Sequence, residues 1–452
     1  VIFVNEQYQT SSQILISLPQ FSSATSSMSS GTGLIIKVLT LNCWGIVGIS
    51  KDRADRMAAI ADVLSSGKFD IVCLQELWSQ DDYNNIVLRV QKVLPFTHYF
   101  FSGVTGSGLS ILSRYPFESF IFHQWSVNGY IHKIFHGDWF GGKGVGLCRV
   151  TVQGLNINIY TTHLHAQYND DDEYLAHRVV QAFDTAQFVD LTSGAAHLSI
   201  LAGDLNTQPG ELCHRLVQHT AHLRDAYEKN SEGSDIGTYD CSRNSYANSR
   251  EVSRNPNGVR IDHIFYRPGL GAQVELQNYT MPLAERVPGE SFSYSDHEAI
   301  AATFKITPSI HHNMADHMFS KPEEMMTCLC EGTGVISEAV KQLYWSRVHY
   351  WSMISTIIFG LACLCLFSDI PDTYSRAFQL SLVILTAVII FAFIMATVWN
   401  KIEQNALRST MMAMQFMATR VNGSSPETNS SILSTEIQEE GTRQRLPFTL
   451  KN

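Results

Sequence analysis

Two stretches near the C-terminus constrain this chain more than any other feature. Trp351–Phe367 and Ala377–Trp399 are apolar and charge-free over 17 and 23 residues. About 20 apolar residues suffice to cross a bilayer as a helix. Ser368–Arg376 between them carries Pro371 and two acids, which suits a tight polar turn. The pair (about 351–367 and 377–399) reads as a transmembrane hairpin rather than as two buried helices of a soluble bundle. Lys341 and Arg347 precede it, Lys401 and Arg408 follow it, and the turn has only Arg376. The positive-inside tendency then puts both ends in the cytosol. The chain is expected to be an integral membrane protein.

Upstream the pattern is that of a mixed domain. Short apolar runs recur at Leu34–Leu41, Phe69–Leu77, Leu109–Ser113, Gly144–Val150, Leu155–Thr162, Leu198–Ala202, Val259–Tyr266 and Glu298–Phe304. Each reads as a strand. Helical spacing appears in Lys51–Ser65 through Met57, Ile60, Ala61 and Leu64. It appears again from about Glu173 to Leu191, through Leu175, Val179, Ala182, Ala186 and Val189. Strands with helices between them predict an α+β domain over 34–306, two packed sheets flanked by helices. Residues 1–33 are rich in Ser and Gln and read as a disordered extension. They lack the basic start and apolar run of a secretory signal. Residues 307–350 read as a linker and juxtamembrane segment, and 400–452 as a polar cytosolic tail.

Charge and cysteine usage narrow the classes. Residues 34–306 hold 22 Lys+Arg against 29 Asp+Glu. A domain that clamps nucleic acid usually shows a basic excess, so no nucleic-acid partner is expected. Nine cysteines, an odd number without paired spacings, fit a reducing compartment. Cys328-x-Cys330 lacks a second pair at zinc-finger distance and reads as two ordinary thiols.

The chemistry collects where strands end. Asn42 closes Val38-Leu-Thr-Leu-Asn, and Glu76 closes Ile71-Val-Cys-Leu-Gln-Glu. Asp204 and Asn206 follow Leu198-Ser-Ile-Leu-Ala-Gly. Polar residues directly after buried strands lie on a sheet rim, and oxygen ligands of this kind suit magnesium or manganese. Asp262-His263 and Asp296-His297 add two acid–imidazole pairs, and His163 ends another strand. An imidazole beside carboxylates can take a proton from water near neutral pH. Singly, each would more often be a cap, a turn or a structural histidine. Six such strand ends together are a stronger sign than any one of them.

These elements resemble a known family. Leu41-Asn-Cys-Trp-Gly45, Leu74-Gln-Glu76, Gly106-Ser-Gly-Leu109, Thr162-His-Leu-His165, Gly203-Asp-Leu-Asn206, Arg260-Ile-Asp262 and Ser295-Asp-His297 stand in the order of the deoxyribonuclease-I-like endonuclease/exonuclease/phosphatase superfamily. Two longer stretches resemble its neutral, magnesium-dependent sphingomyelinases. They are the 136–147 segment, His-Gly-Asp-Trp-Phe-Gly-Gly-Lys-Gly-Val-Gly-Leu, and Thr162–Ala166 with Tyr174–Arg178. The hairpin is similar to that of the type-1 branch.

The resemblance implies a four-layer α/β/β/α sandwich, magnesium (or manganese) as cofactor, a membrane phospholipid substrate and the endoplasmic reticulum. It also implies roles. Glu76 would bind the metal with Asn42 beside it, and Asp204 and Asn206 would position water and phosphate. His297 would be the general base, oriented by Asp262, with Asp296 next to the metal region. His163 would bind the phosphate. Lys143, Asp138, Trp139 and Phe140 would form a substrate loop, against the alternative of a glycine hairpin with a solvated charge pair. The leading expectation is phospholipase-C-type cleavage of sphingomyelin. The alternatives are the same chemistry on lysophospholipids or ethanolamine sphingolipids, a nuclease, or an inactive membrane scaffold.

Overall fold

The computed structural model describes residues 33–133, 136–169, 171–227, 237–309, 321–367 and 374–423. The N-terminal extension, the polar turn at 368–373, part of the expected linker and the last part of the tail lie outside them.

Two six-stranded sheets form among the described residues. The first contains β1 (Leu34–Asn42), β2 (Ile71–Gln75), β3 (Phe96–Tyr99), β4 (Ser110–Ser113), β11 (Ala272–Thr280) and β12 (Ile300–Pro308), in the order β11-β12-β1-β2-β4-β3. The second contains β5 (Phe117–Gln124), β6 (Gly144–Val152), β7 (Leu155–His163), β8 (Leu198–Asp204), β9 (Arg224–Asp225) and β10 (Asp262–Pro268), in the order β5-β6-β7-β8-β10-β9. Both sheets are mixed: β1 runs parallel to β2 and β7 parallel to β8, while their other pairings are antiparallel.

The inner faces pack together. Ile36 and Val38 of β1 meet Ile157, Ile159 and Ile200 of the other sheet in one buried cluster. Leu39 and Leu41 point the opposite way, toward Met57 and Ile60 of α1 (Arg53–Leu64) and Ile86 of α2 (Gln80–Val90). Being covered on both faces is why β1 reads as a nearly continuous apolar run. The outer face of the second sheet is covered by α4 (Leu175–Thr192) and α5 (Leu212–Thr220). The result is a four-layer α/β/β/α sandwich.

The C-terminal third carries more structure than its sequence suggests. Helix α7 (Pro322–Phe367) runs unbroken for 46 residues. Its Met325, Cys328, Leu329, Ile336 and Val340 are buried with residues of α4 and α5. Helix α8 (Ser375–Ile394) passes through a π-helical turn at Met395–Trp399 into α9 (Asn400–Val421). Leu407 and Met414 of α9 join the same cluster. Gly332 permits this approach, since a Cβ there would lie 3.2 Å from the Met414 side chain. The expected linker is therefore helical from Pro322, and the expected polar tail is helical to Val421. Charged residues interleave the buried stripe in both segments, which hides the periodicity. The middle of the pair is different: Ile358, Phe359, Leu380, Val383 and Ile384 are exposed. Both helices are long and apolar enough to cross a membrane.

The remaining departures are short. Strands β3, β5, β9 and β11 have no counterpart in the sequence reading. β5 and β11 are edge strands with mostly exposed or half-exposed side chains, so they lack the apolar run that signals a buried strand. The 138–143 segment holds one helical turn, α3 (Asp138–Gly141), rather than a hairpin. The remaining short helix is α6 (Ser249–Arg254).

Candidate active site

Strand register assembles the site. His163, the last residue of β7, is the partner of Asp204, the last of β8. Asp204 in turn pairs with Asp262, the first residue of β10. An imidazole and two carboxylates thus stand in a row across three strands. On the other sheet, Asn42 at the end of β1 pairs with Gln75 of β2, and Glu76 follows. His297 lies just before β12, whose pairing with β1 returns it to the same rim. Gln75 Nε2 donates to Thr40 Oγ1 at 3.0 Å and to Thr161 Oγ1 of the opposite sheet at 3.1 Å. That contact locks the two rims together.

The polar groups meet at the centre. Asn42 Nδ2 donates to Glu76 Oε1 at 3.1 Å and to Asp204 Oδ2 at 3.0 Å, and lies 3.5 Å from His297 Nε2. Its Oδ1 accepts from the Trp44 N–H at 3.0 Å. Asn42 therefore enters the site as a donor between carboxylates, and its oxygen, the atom a metal would use, faces the backbone. His297 Nδ1 lies 2.9 Å from Asp262 Oδ2. His163 Nε2 lies 3.4 Å from Asp204 Oδ2 and 3.8 Å from Glu76 Oε1. Asn206 donates its backbone N–H to Asp204 Oδ1 at 2.9 Å and its Nδ2 to Leu164 O at 3.0 Å. Asp296 is held by Ser295 Oγ at 3.2 Å.

Burial and mutual charge tune these groups. Burial and the Lys143 cation hold the His163 imidazole well below its usual range. Burial would lower His297 too, but the Asp262 carboxylate, with Asp204 and Asp296, holds it well above. Burial and the neighbouring Asp262 push Asp204 up to about 7. Burial, with Glu76 adding to it, pushes Asp296 up to about 6.

The carboxylate cluster fits a hard divalent cation. Glu76 Oε2 is buried and has no hydrogen-bond partner among the described residues, and Asp262 Oδ1 shares that condition. A buried carboxylate oxygen without a donor is costly unless a cation meets it. Asp204, Asp262 and His297 can also bring one ligand atom each to a common point. Glu76 is held in a left-handed conformation at φ 53°, which L side chains adopt at a cost of about 1–2 kcal/mol. Gly45 allows it: the Gly45 N–H donates to Glu76 O at 2.9 Å, and a Cβ there would come within 2.3 Å of that oxygen.

A cleft of about 330 Å³ opens over this centre. Glu76, His163, Lys143 and Asp138 line it, with Val47, Trp78, Thr105, His136 and Tyr168. Lys143 and Asp138 form a buried ion pair. Lys143 Nζ also lies 3.3 Å from His163 Nε2, so the lysine is aimed at the site. Burial would raise the Asp138 carboxyl, but Lys143 and His165 hold it below its usual range. Trp139 and Phe140 pack edge-on against each other, but neither lines this cleft; Trp139 lines a separate cavity with Trp125, His177 and Trp399. Sequence reasoning missed Trp78, Tyr168, whose hydroxyl donates to Asp138 Oδ2, and His165, whose Nε2 lies 3.7 Å from it. Tyr168 sits in irregular chain where no periodicity marks it, though the imidazole of Thr162-His-Leu-His165 was in view.

Comparison with known proteins agrees with this architecture. Residues 39–297 match the Endonuclease/Exonuclease/phosphatase family. A putative neutral sphingomyelinase of Drosophila melanogaster is 40% identical over 433 residues, covering 85% of this chain and 97% of that protein. Sphingomyelin phosphodiesterase 2 of Homo sapiens is 36% identical, covering 74% of this chain and 78% of that protein. An inositol phosphosphingolipids phospholipase C of Saccharomyces cerevisiae is 28% identical, covering 72% and 78%. The chain belongs to the Endonuclease/Exonuclease/phosphatase family, in the group of the neutral sphingomyelinases, and is a phosphodiester hydrolase.

Proposed function

We propose that the protein cleaves sphingomyelin in the phospholipase C manner, giving ceramide and phosphocholine at the cytosolic face of the membrane that its helices cross. The observation that carries this is the buried His297–Asp262 pair, joined through Asn42 to Glu76, whose Oε2 has no hydrogen-bond partner among the described residues and whose side chain lines the cleft. The sphingolipid names of the relatives support the substrate class, and the two apolar helices support a substrate held in a bilayer.

Glu76 would hold magnesium through Oε2, with Asn42 beside it and Asp296 next to the metal region. When bound, that ion supplies charge neutralisation at a phosphoryl oxygen and polarises the phosphorus centre. The residues do the rest. Asp262 accepts from His297 Nδ1, and Nε2 takes a proton from water in the neutral form of the ring, whose share grows as pH rises because the surrounding carboxylates favour the protonated form. Asn206 and Asp204 orient that water and the phosphate. Lys143 and His163 hold the phosphoryl oxygens, and Lys143 counters the charge that develops on them. Water attacks phosphorus, the bond to the ceramide oxygen breaks, the departing oxygen takes a proton from solvent to give the ceramide hydroxyl, and His297 returns its proton to solvent. Trp139 and Phe140 serve as substrate-loop residues.

A head-group-resolved lipid hydrolysis assay, with magnesium and after chelation, tests this reading. Phosphocholine release that needs the metal is expected. Selective turnover of an inositol- or ethanolamine-headgroup sphingolipid, or of lysophospholipid, would move the substrate within the class. Plasmid nicking without lipid turnover would overturn it. The yeast relative favours the head-group alternative, because it carries a different sphingolipid in its name.

A further inference from the structure

The helix leaving the second apolar span returns to the catalytic domain. Asn400 Nδ2 donates to Leu343 O at 2.8 Å and ties the start of α9 to α7. Near its start, two side chains reach the domain beside the 138–143 segment and α4. The Trp399 ring meets Trp139 edge-on, with centroids 5.9 Å apart. Glu403, only 7% exposed, brings Oε1 to 3.0 Å from Nε2 of His177 on α4.

His177 passes the contact inward. Its Nδ1 accepts from the Gly129 N–H at 3.2 Å. One tautomer serves both bonds, with Nδ1 bare and Nε2–H donating to Glu403. Gly129 has φ 87°, and a Cβ there would lie 2.6 Å from His165 Nε2 and 3.7 Å from Asp138 Cβ. The backbone at Gly129 thus packs closely against His165, whose Nε2 lies 3.7 Å from Asp138 Oδ2, and Asp138 is ion-paired with Lys143. Lys143 reaches His163 at the catalytic centre. A carboxylate at the depth of Glu403 gives up solvation that an apolar side chain would not lose. Packing alone does not call for one there.

We propose that Glu403 is a positioning residue: through His177 it fixes the Trp125–Lys133 segment and α3, and so sets Lys143 against the phosphate. This rests on the reading of Lys143 as a phosphate-facing group. The helix that emerges from the membrane is then part of the active-site support, and a shift of the hairpin within the bilayer reaches the catalytic lysine through one hydrogen-bonded pair.

Glu403→Ala and Glu403→Gln test it in the full chain, reconstituted in nanodiscs of phosphatidylcholine with sphingomyelin. Hydrogen exchange is read on Trp125–Lys133, with β1 and β12 as reference, alongside kcat and KM. In Glu403→Ala, exchange at Gly129 and its neighbours should rise about 10-fold or more while the reference strands stay protected. In the same variant kcat should fall about 2- to 30-fold with KM changed less. Glu403→Gln retains an acceptor oxygen for His177 and should restore most of both. Unchanged exchange at Trp125–Lys133, a uniform rise across the domain, or a Gln variant as impaired as Ala would each overturn the proposal. The exchange readout needs no turnover. Loosening of the segment in a chain whose wild type releases no phosphocholine would therefore count against the substrate alone.

Discussion

His297 Nδ1 lies 2.9 Å from Asp262 Oδ2, and the two residues arrive there from different segments of the chain, 35 positions apart. If this pair works as general base and orienting carboxylate, His297→Ala should lower turnover about 10²–10⁴-fold. Asp262→Asn should also impair turnover, because the amide cannot hold the same tautomer or offset a charge on the imidazole. Steady-state lipid turnover at saturating magnesium measures both. A near-normal rate in His297→Ala removes the assignment.

The buried Lys143–Asp138 pair makes a stability prediction distinct from its proposed role in turnover. Removing one partner leaves the other charge uncompensated, which costs about 3–5 kcal/mol. Lys143→Met should therefore lower the thermal unfolding midpoint in detergent more than Lys143→Met combined with Asp138→Asn. A double variant as unstable as the sum of the two singles would show that the charges are not coupled.

Asp184 on α4 makes a pH prediction. Burial pushes its carboxyl up to about 6, while a hydrogen bond from Thr410 of α9 pulls the other way. In the unfolded chain an aspartate titrates near 4 (about 3.9). Between those values the folded state binds the proton and the unfolded state does not. Stability from this group is therefore greatest below about pH 4 and falls as pH rises through about 6. Asp184→Asn should remove that part of the slope and stabilise the protein at pH 7 by about 1–3 kcal/mol. Thermal unfolding of both proteins from pH 4 to 7 checks the sign. An identical slope in the variant would show that Asp184 is not its source.

Orientation can be read from a sequon. Asn278-Tyr-Thr280 lies on edge strand β11, and Asn278 is exposed. With the catalytic domain in the cytosol, Asn278 stays unmodified, and glycosidase treatment of protein expressed in eukaryotic cells leaves its mobility unchanged. A glycan at Asn278 would place the domain on the other face.

Much of this was legible in the sequence, for physical reasons that differ by element. The strands that carry the centre are buried on both faces, so β1, β2, β7 and β8 announced themselves as apolar runs, and their polar last residues marked the rim. Edge strands β5 and β11 carry exposed Phe120 and Glu275 and gave no such run. The pairing of His163 with Asp204 was beyond reading, because it depends on which strands become neighbours. So was the hydrogen-bonding sense of Asn42, which is set by the Trp44 backbone. In the C-terminal third, hydropathy marked the two apolar stretches and masked the helical continuation of each. Glu403 looks like a solvated charge until α9 is seen to fold back onto His177.

One close approach fixes when the centre comes into being. Asn42 and His297 stand 3.5 Å apart across 255 positions of sequence, and β12 must lie along β1 to bring them together. On the reading of His297 as general base, an N-terminal fragment that ends before β12 is expected to be inactive, and a nascent chain is expected to stay inert until β12 has left the ribosome. The apolar spans are among the next segments to emerge. Completion of the candidate centre and emergence of the two apolar helices are thus successive events in the making of one chain.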